Sequence, residues 1–179
     1  MEDMIEPGGF VHGTDPFAVP ESARSPVRRL RGRLPAAVTL WTAPGPAGLT
    51  VSSTMVVDGD PGRLLGLVDE ESELWTAASA AGVFTVAPLR AEDRQLADRF
   101  AGLLPAPGGL FKGYGWRETT FGPVLEGLST WAGCRLDTAR PMGWGLLVEA
   151  TIEHIEIGGE IGGETGGDEP LVHYRGRYR

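Results

Sequence analysis

Glycine and proline set the grain of this chain. Its 27 glycines and 14 prolines cut 179 residues into short segments, and no run approaches the roughly 18 consecutive apolar residues of a membrane span. Between the breaks lie β-branched and aromatic segments: AAVTLWTA (36–43), LTVSSTMVV (49–57), RLLGLV (63–68), VFTVAPL (83–89), EGLSTWAGCRLDTA (126–139), GWGLLVEATIEHIEI (143–157) and PLVHYRGRYR at the end. Runs of this length and composition, bounded by turn residues, predict strands. The PGPAG turn after residue 43 predicts that 36–43 and 49–57 form a hairpin. Six or seven strands must deal with their exposed edges, and closure into a barrel is the usual solution. The expected class is mainly β, a small barrel with a few short helices.

The helices are fewer and weaker. ESARSPVRRLRGRLP predicts a short helix stopped by Gly32 and Pro35, with Arg24, Arg28 and Arg31 on one solvated face. SELWTAASAAG (72–82) has Ser72 as N-cap and Gly82 as terminator. EDRQLADRFAGLL (92–104) repeats apolar residues at helical period. Residues 105–123, rich in Gly, Pro and aromatics, are expected as a long loop. Residues 1–20 are expected as an extended arm and 21–179 as one domain, within which the Gly/acid repeat at 158–169 cannot contribute to a core.

Charge and rare residues narrow the chemistry. The net charge is −8, which argues against nucleic acid as a general partner. Five arginines and no acid fall between Arg24 and Arg33; seven acids and no lysine or arginine fall between Glu149 and Glu169. Cys134 is the only cysteine, as suits a reducing cytoplasm. The N-terminus lacks the basic start and apolar run of a secretory signal. P-loop, Rossmann-type and hydrolase-elbow motifs are absent, and His12, His154 and His173 have no metal-ligand spacing. No catalytic acid, base or nucleophile and no metal site is expected. Lys112, the one lysine, sits among glycines and prolines without an apolar pocket.

The hydroxyls of Thr50, Ser52, Ser53 and Thr54 stand on a strand that breaks into Asp58-Gly59-Asp60-Pro61-Gly62. By residue type alone they fit a wet sheet face as well as a ligand-binding edge. The helix beginning after Ser72 supplies an N-terminus that suits a phosphate.

The pieces RGRLPAAVTLWTA, GLTVSST, DP, SELW, AGVFTVAPL, QLADRFAG, GPVLEG and PLVHYRGRYR follow one another over residues 24–179. In this order the chain resembles the flavin reductase-like proteins, the FMN-binding split β-barrels that serve two-component monooxygenases. The resemblance implies a homodimer that binds FMN, or FAD, without a covalent link. It implies hydride transfer from NADH or NADPH and delivery of reduced flavin to an oxygenase. It places Leu49, Thr50, Val51, Ser52 and Ser53 along the flavin ring and ribityl chain. Val68, Asp69 and Ser72 fall beside the ribityl-phosphate, with Trp75, Val86 and Ala87 close to the flavin. Arg94, or Arg63, is the cation expected to offset the phosphate, and His173, Tyr174 and Arg177 are candidates for the nicotinamide nucleotide.

Three departures from the family pattern stand out. Glu70 and Glu71 replace a usual Lys or Arg before Ser72, Ala87 replaces an Asn, and Gly143-Trp144-Gly145 replaces a Gly-Asp-His associated with the nucleotide. They leave open a flavin-binding barrel whose reductant site is altered or lost, and a non-enzymatic interaction module on the same scaffold. Trp144 itself reads as dimer or barrel packing, or as a stacking platform.

Overall fold

The computed structural model describes residues 25–158 and 169–179. The arm expected at 1–20, Arg24 and most of the Gly/acid repeat lie outside them. Strands dominate: β1 (Ala36–Ala37), β2 (Thr39–Ala43), β3 (Ala47–Val51), β4 (Thr54–Val57), β5 (Arg63–Val68), β6 (Val83–Pro88), β7 (Trp116–Thr119), β8 (Gly122–Leu125), β9 (Trp131–Met142), β10 (Gly145–Glu156), β11 (Val172–Tyr174) and β12 (Arg177–Tyr178). Three helices accompany them: α1 (Pro26–Gly32), α2 (Glu73–Ala81) and α3 (Arg94–Phe100).

Seven strands form one antiparallel sheet in the order β3-β2-β6-β9-β10-β5-β4. Its two edges are β3 and β4, which only Ser52 and Ser53 separate in the chain. A flat sheet would hold these edges six strand spacings apart, roughly 29 Å at about 4.8 Å each. Three Cα steps from Val51 to Thr54 reach at most about 11 Å. The sheet therefore has to curl until its edges meet, which is the barrel. Thr39 spans the seam: its Oγ1 donates to the Val51 carbonyl at 2.8 Å and lies 2.8 Å from Thr54 Oγ1. The Trp41 indole N–H also points at this pair, 3.0 Å from Thr39 Oγ1 and 3.2 Å from Thr54 Oγ1.

The curl encloses one core and carries a second on its back. Trp41, Leu64, Val68, Leu74, Phe84 and Val148 fill the inside, where Trp41 stacks on Phe84 with ring centroids 4.9 Å apart. Val38, Leu40, Leu89, Leu96, Phe100 and Val124 form the outer cluster between the sheet, α3 and the β7–β8 hairpin. Strand alternation explains the division: Leu40 and Ala87 face outward, Trp41 and Val86 inward. All five residues of β2 are buried because it serves both cores.

Several expected boundaries change. Residues 49–57 are two strands: β3 pairs with β2, whereas β4 crosses the seam and pairs with β5. Leaving one edge for the other resets the side-chain phase, which the period of a continuous strand cannot show. The loop expected over 105–123 ends in a hairpin, since Trp116–Thr119 and Gly122–Leu125 pair. The strand expected from 126 starts at Trp131, after a turn containing Gly127 at φ +86°. The helix expected over 92–104 is a 3-10 turn at Ala91–Asp93 followed by α3. The closing strand is a hairpin, β11–β12. The helix after Ser72 forms as expected: Ser72 Oγ accepts from Trp75 N, and Gly82 adopts the left-handed conformation.

Candidate functional site

The seam brings two expected segments together. Ser53 Oγ donates to the Leu67 carbonyl at 3.0 Å and accepts from the Leu67 N–H at 3.2 Å. The crossing at Ser52–Ser53 is thereby tied to the end of β5, where Val68 leads through Asp69, Glu70 and Glu71 to Ser72. Behind this rim an apolar notch is lined by Trp41, Val68, Leu74, Trp75, Phe84 and Leu136. Leu49 and Trp75, both half-buried, pack against the same inner core.

Most of the rim's hydroxyls are already committed. Thr50 Oγ1 donates to the Ala97 carbonyl of α3 at 2.8 Å. Ser72 Oγ donates to the Asp69 carbonyl at 2.6 Å while it caps α2, and Asp69 Oδ1 accepts from the Glu71 N–H at 2.9 Å. Thr54 belongs to the seam. The half-buried Ser52 alone among these has a hydroxyl with no partner within the described residues.

Other candidates fall elsewhere. Val51 and Val68 are buried in the inner core. Val86 and Ala87 are buried on opposite faces of β6, one in each core. Arg94 is exposed at the start of α3, which packs on the outer side of β3, whereas α2 packs its Leu74 and Ala78 into the inner core. Arg63 lies at the opposite end of β5 from Val68 and pairs with Asp137. Neither is positioned to offset Asp69, Glu70, Glu71 and Glu73, which are exposed around the start of α2.

His173 and Tyr174 on β11 and Arg177 on β12 sit away from the rim, where β11 pairs with β1. Burial, then the nearby charge of Arg31, holds the His173 imidazole below its usual pKa. The His173 and Tyr178 rings meet edge to face at 5.8 Å. Burial and the charge of Asp98 on α3 push the Tyr178 phenol up to about 12. α3 thus links this hairpin to Thr50.

Trp144 is wholly exposed, at 106%, so it packs against nothing within the described chain. It occupies the β9–β10 tip between Gly143 at φ +61° and Gly145. A Cβ on Gly145 would stand 2.8 Å from the Val68 carbonyl, so the tip rests on the rim. Sequence reasoning missed the seam group of Thr39 and Trp41. Their pairing with Thr54 depends on closure of the sheet, and no local signal marks it. Among the described residues no group of three or more His, Cys, Asp or Glu is placed to hold a metal, and no helix is long and apolar enough to cross a membrane.

Comparison with known proteins bears on the family and the fold. A family model described as the flavin reductase like domain matches residues 31–179. An FMN reductase (NADH) RutF of Variovorax paradoxus is 29% identical over 164 residues, covering 90% of this chain and 87% of the relative. The 4-hydroxyphenylacetate 3-monooxygenase reductase component of Pseudomonas aeruginosa is 29% identical, covering 76% of this chain and 84% of the relative. Among solved structures, a nitrilotriacetate monooxygenase component B homologue from Mycobacterium thermoresistibile superposes with a TM-score of 0.74 at 25% identity, covering 86% of this chain and 83% of that one. An NADH:FAD oxidoreductase of Streptomyces globisporus, solved with NAD and FAD fragments, gives a TM-score of 0.71 at 22% identity, covering 86% and 89%; it shares the fold.

Proposed function

The chain belongs to the flavin reductase-like family, and from that premise we propose that it transfers a hydride from NADH or NADPH to FMN, or to FAD, and supplies the reduced flavin to a separate monooxygenase. The observation that carries this is the rim. The Ser52–Ser53 crossing is joined to the end of β5, fourteen residues on, by the two Ser53–Leu67 hydrogen bonds, next to Val68, which lines a small apolar notch in the inner core. Two relatives support the reading by name, one an FMN reductase and one a monooxygenase reductase component.

The residues fit the ring end of a flavin better than its phosphate. Leu49 and Trp75 offer apolar surface, and the Ser52 hydroxyl and the backbone of Ser52–Ser53 offer polar contacts at the seam. Thr50 and Ser53 act one step back, holding β3 to α3 and β4 to β5. Val51 and Val68 shape the wall from inside. At the expected phosphate position four carboxylates crowd the start of α2, whose Glu71 and Trp75 N–H groups are capped from within. A phosphate dianion there meets repulsion, so the flavin is held mainly by its ring and is free to leave.

The flavin supplies the redox chemistry when bound. Hydride transfer to the flavin needs no protein acid or base. The chain's part is to orient the ring at the seam and seat the donor. For the phosphate-bearing nucleotide end of the donor we assign His173, Tyr174 and Arg177, since their hairpin lies away from the rim where the hydride is delivered.

A homodimer is part of this proposal. The outer face of β4, β5 and β10 carries an apolar patch bordered by Glu149: Met55 is opposite Leu65 and Leu67 opposite Leu147, with Met55 55% and Leu67 39% exposed. A second copy is the occupant that suits such a face. The single thiol, Cys134, is buried, and the cytoplasm is the compartment we assign.

The activity is tested by mixing the purified protein with NADH or NADPH and free FMN and following absorbance at 340 nm. Oxidation no faster than the non-enzymatic rate with either donor would overturn it. Trp144 and Gly145 in place of the Asp and His of the Gly-Asp-His pattern favour a second reading, a flavin-binding barrel with an altered reductant site. A protein that binds FMN but consumes neither nucleotide would establish that one.

A further inference from the structure

The described residues carry one strongly cationic surface on an acidic chain. Arg29 and Arg31 come from the last turn of α1 and Arg33 caps it. Arg175, Arg177 and Arg179 come from the β11–β12 hairpin. The two sources are joined: the Arg175 N–H donates to the Gly32 carbonyl at 2.7 Å. All six side chains are exposed, and none takes part in an ion pair among the described residues. Concentrating like charges in this way costs energy unless an anion is met.

The hairpin turn reinforces the point. Arg175 has φ +53° and Gly176 φ +78°, the conformation that favours Asn, Asp or Gly at the first position. An arginine is kept there despite the strain. Its guanidinium carbon lies 5.3 Å from the Tyr174 ring centroid, and that of Arg179 lies 5.6 Å from it. Two planar, permanently charged groups are thus held on an aromatic platform, the arrangement that suits bidentate phosphate recognition.

We infer that this surface takes the 2′-phosphate of NADPH, so that the chain discriminates in favour of NADPH over NADH while still using both. The inference rests on the proposal that His173, Tyr174 and Arg177 seat the donor. In Rossmann-type sites a carboxylate on the ribose 2′-hydroxyl selects NADH and an arginine admits the phosphate; this chain has no such motif, and the shared chemistry is that of a guanidinium on a phosphate. Along this surface the charged side chains of α1 and the hairpin are arginines, set among the exposed Val27, Leu30 and Leu34. The NADH named for one relative describes that relative's donor.

The experiment compares KM for NADPH and NADH with FMN fixed, at low and at about 0.2 M salt. The expected result is a KM for NADPH lower by ~fivefold or more at low salt, with the gap narrowing as salt screens the arginines. The double variant Arg31→Gln/Arg33→Gln should raise KM for NADPH several-fold more than KM for NADH. Because α1 buries no residue, these substitutions leave the core intact. Equal KM values in the parent protein, or a parallel rise for both donors in the variant, would overturn the inference. Calorimetric titration with 2′,5′-ADP against 5′-AMP provides a second readout. Preference for 2′,5′-ADP, lost in the variant, supports the site even if no flavin is reduced, whereas equal affinities refute it. Failure to reduce flavin with either donor counts instead against the proposed activity.

Discussion

Two serines that look alike in the sequence have opposite duties. Ser53 exchanges two hydrogen bonds with Leu67, so Ser53→Ala should cost about 1 kcal/mol of stability, measurable by chemical denaturation. Ser52→Ala should leave stability within about 0.5 kcal/mol and raise KM for flavin. If Ser52→Ala unfolds the protein as readily as Ser53→Ala, the assignment of a free hydroxyl to the rim is wrong. Burial, aided by the charge of Glu153, raises the Cys134 thiol to about 12. Native protein at pH 8 should therefore resist a thiol reagent that labels it fully in denaturant. Tyr178 is likewise raised, to about 12. Its contribution to stability is complete below the ordinary tyrosine pKa of about 10 and is lost as pH climbs toward 12. A late step in phenolate absorbance that disappears in Tyr178→Phe checks this.

At the scale of elements, sequence periodicity located most of the structure. Strand-like runs at 36–43, 63–68, 83–89 and 143–157 match β2, β5, β6 and β10 within a few residues, because each is bounded by Gly or Pro and alternates toward a core. It failed where pairing is decided from a distance. No local feature of LTVSSTMVV says that Val51 and Thr54 belong to opposite edges of one sheet; six other strands decide it. The β7–β8 hairpin was hidden for a similar reason. Its Trp116 packs against the outer cluster and meets Phe111 and Phe100 at 4.6 and 5.8 Å, contacts that outweigh weak strand propensity. The candidate site was legible as segments but not as roles: composition shows the hydroxyls, and only the fold shows which are spent. A Cβ at Gly66 would lie 2.6 Å from the Trp41 ring. Gly66→Ala should thus cost about 2 kcal/mol, read as a lower unfolding midpoint, because the indole that closes the seam has to move.

For the molecule as a whole, two surfaces of different character divide the work proposed here. The apolar face of β4, β5 and β10 offers itself to a second copy, and the arginine surface to a phosphate. If the first assignment holds, Met55→Asp with Leu67→Glu should convert a dimer to a monomer in light scattering without loss of secondary structure. A parent protein that is already monomeric at micromolar concentration would defeat it. The resemblance visible in sequence order alone anticipated the family and the curled sheet. It did not show which of the rim hydroxyls are spent, or that α1 and the β11–β12 hairpin bring their arginines onto one surface, since both depend on contacts between separate segments.

The Ser52–Ser53 crossing has a consequence for solubility. An open sheet has two strands with unpaired backbone groups, each a template for a neighbouring chain. Here the two outermost strands are consecutive in the polypeptide, and a two-residue tether with the Thr39–Thr54 contact holds their adjoining ends together, so at that corner each covers the other from foreign strands. Lengthening the tether with a flexible insertion would relax that mutual protection first. Aggregation, rather than loss of hydride transfer, should be its earliest symptom.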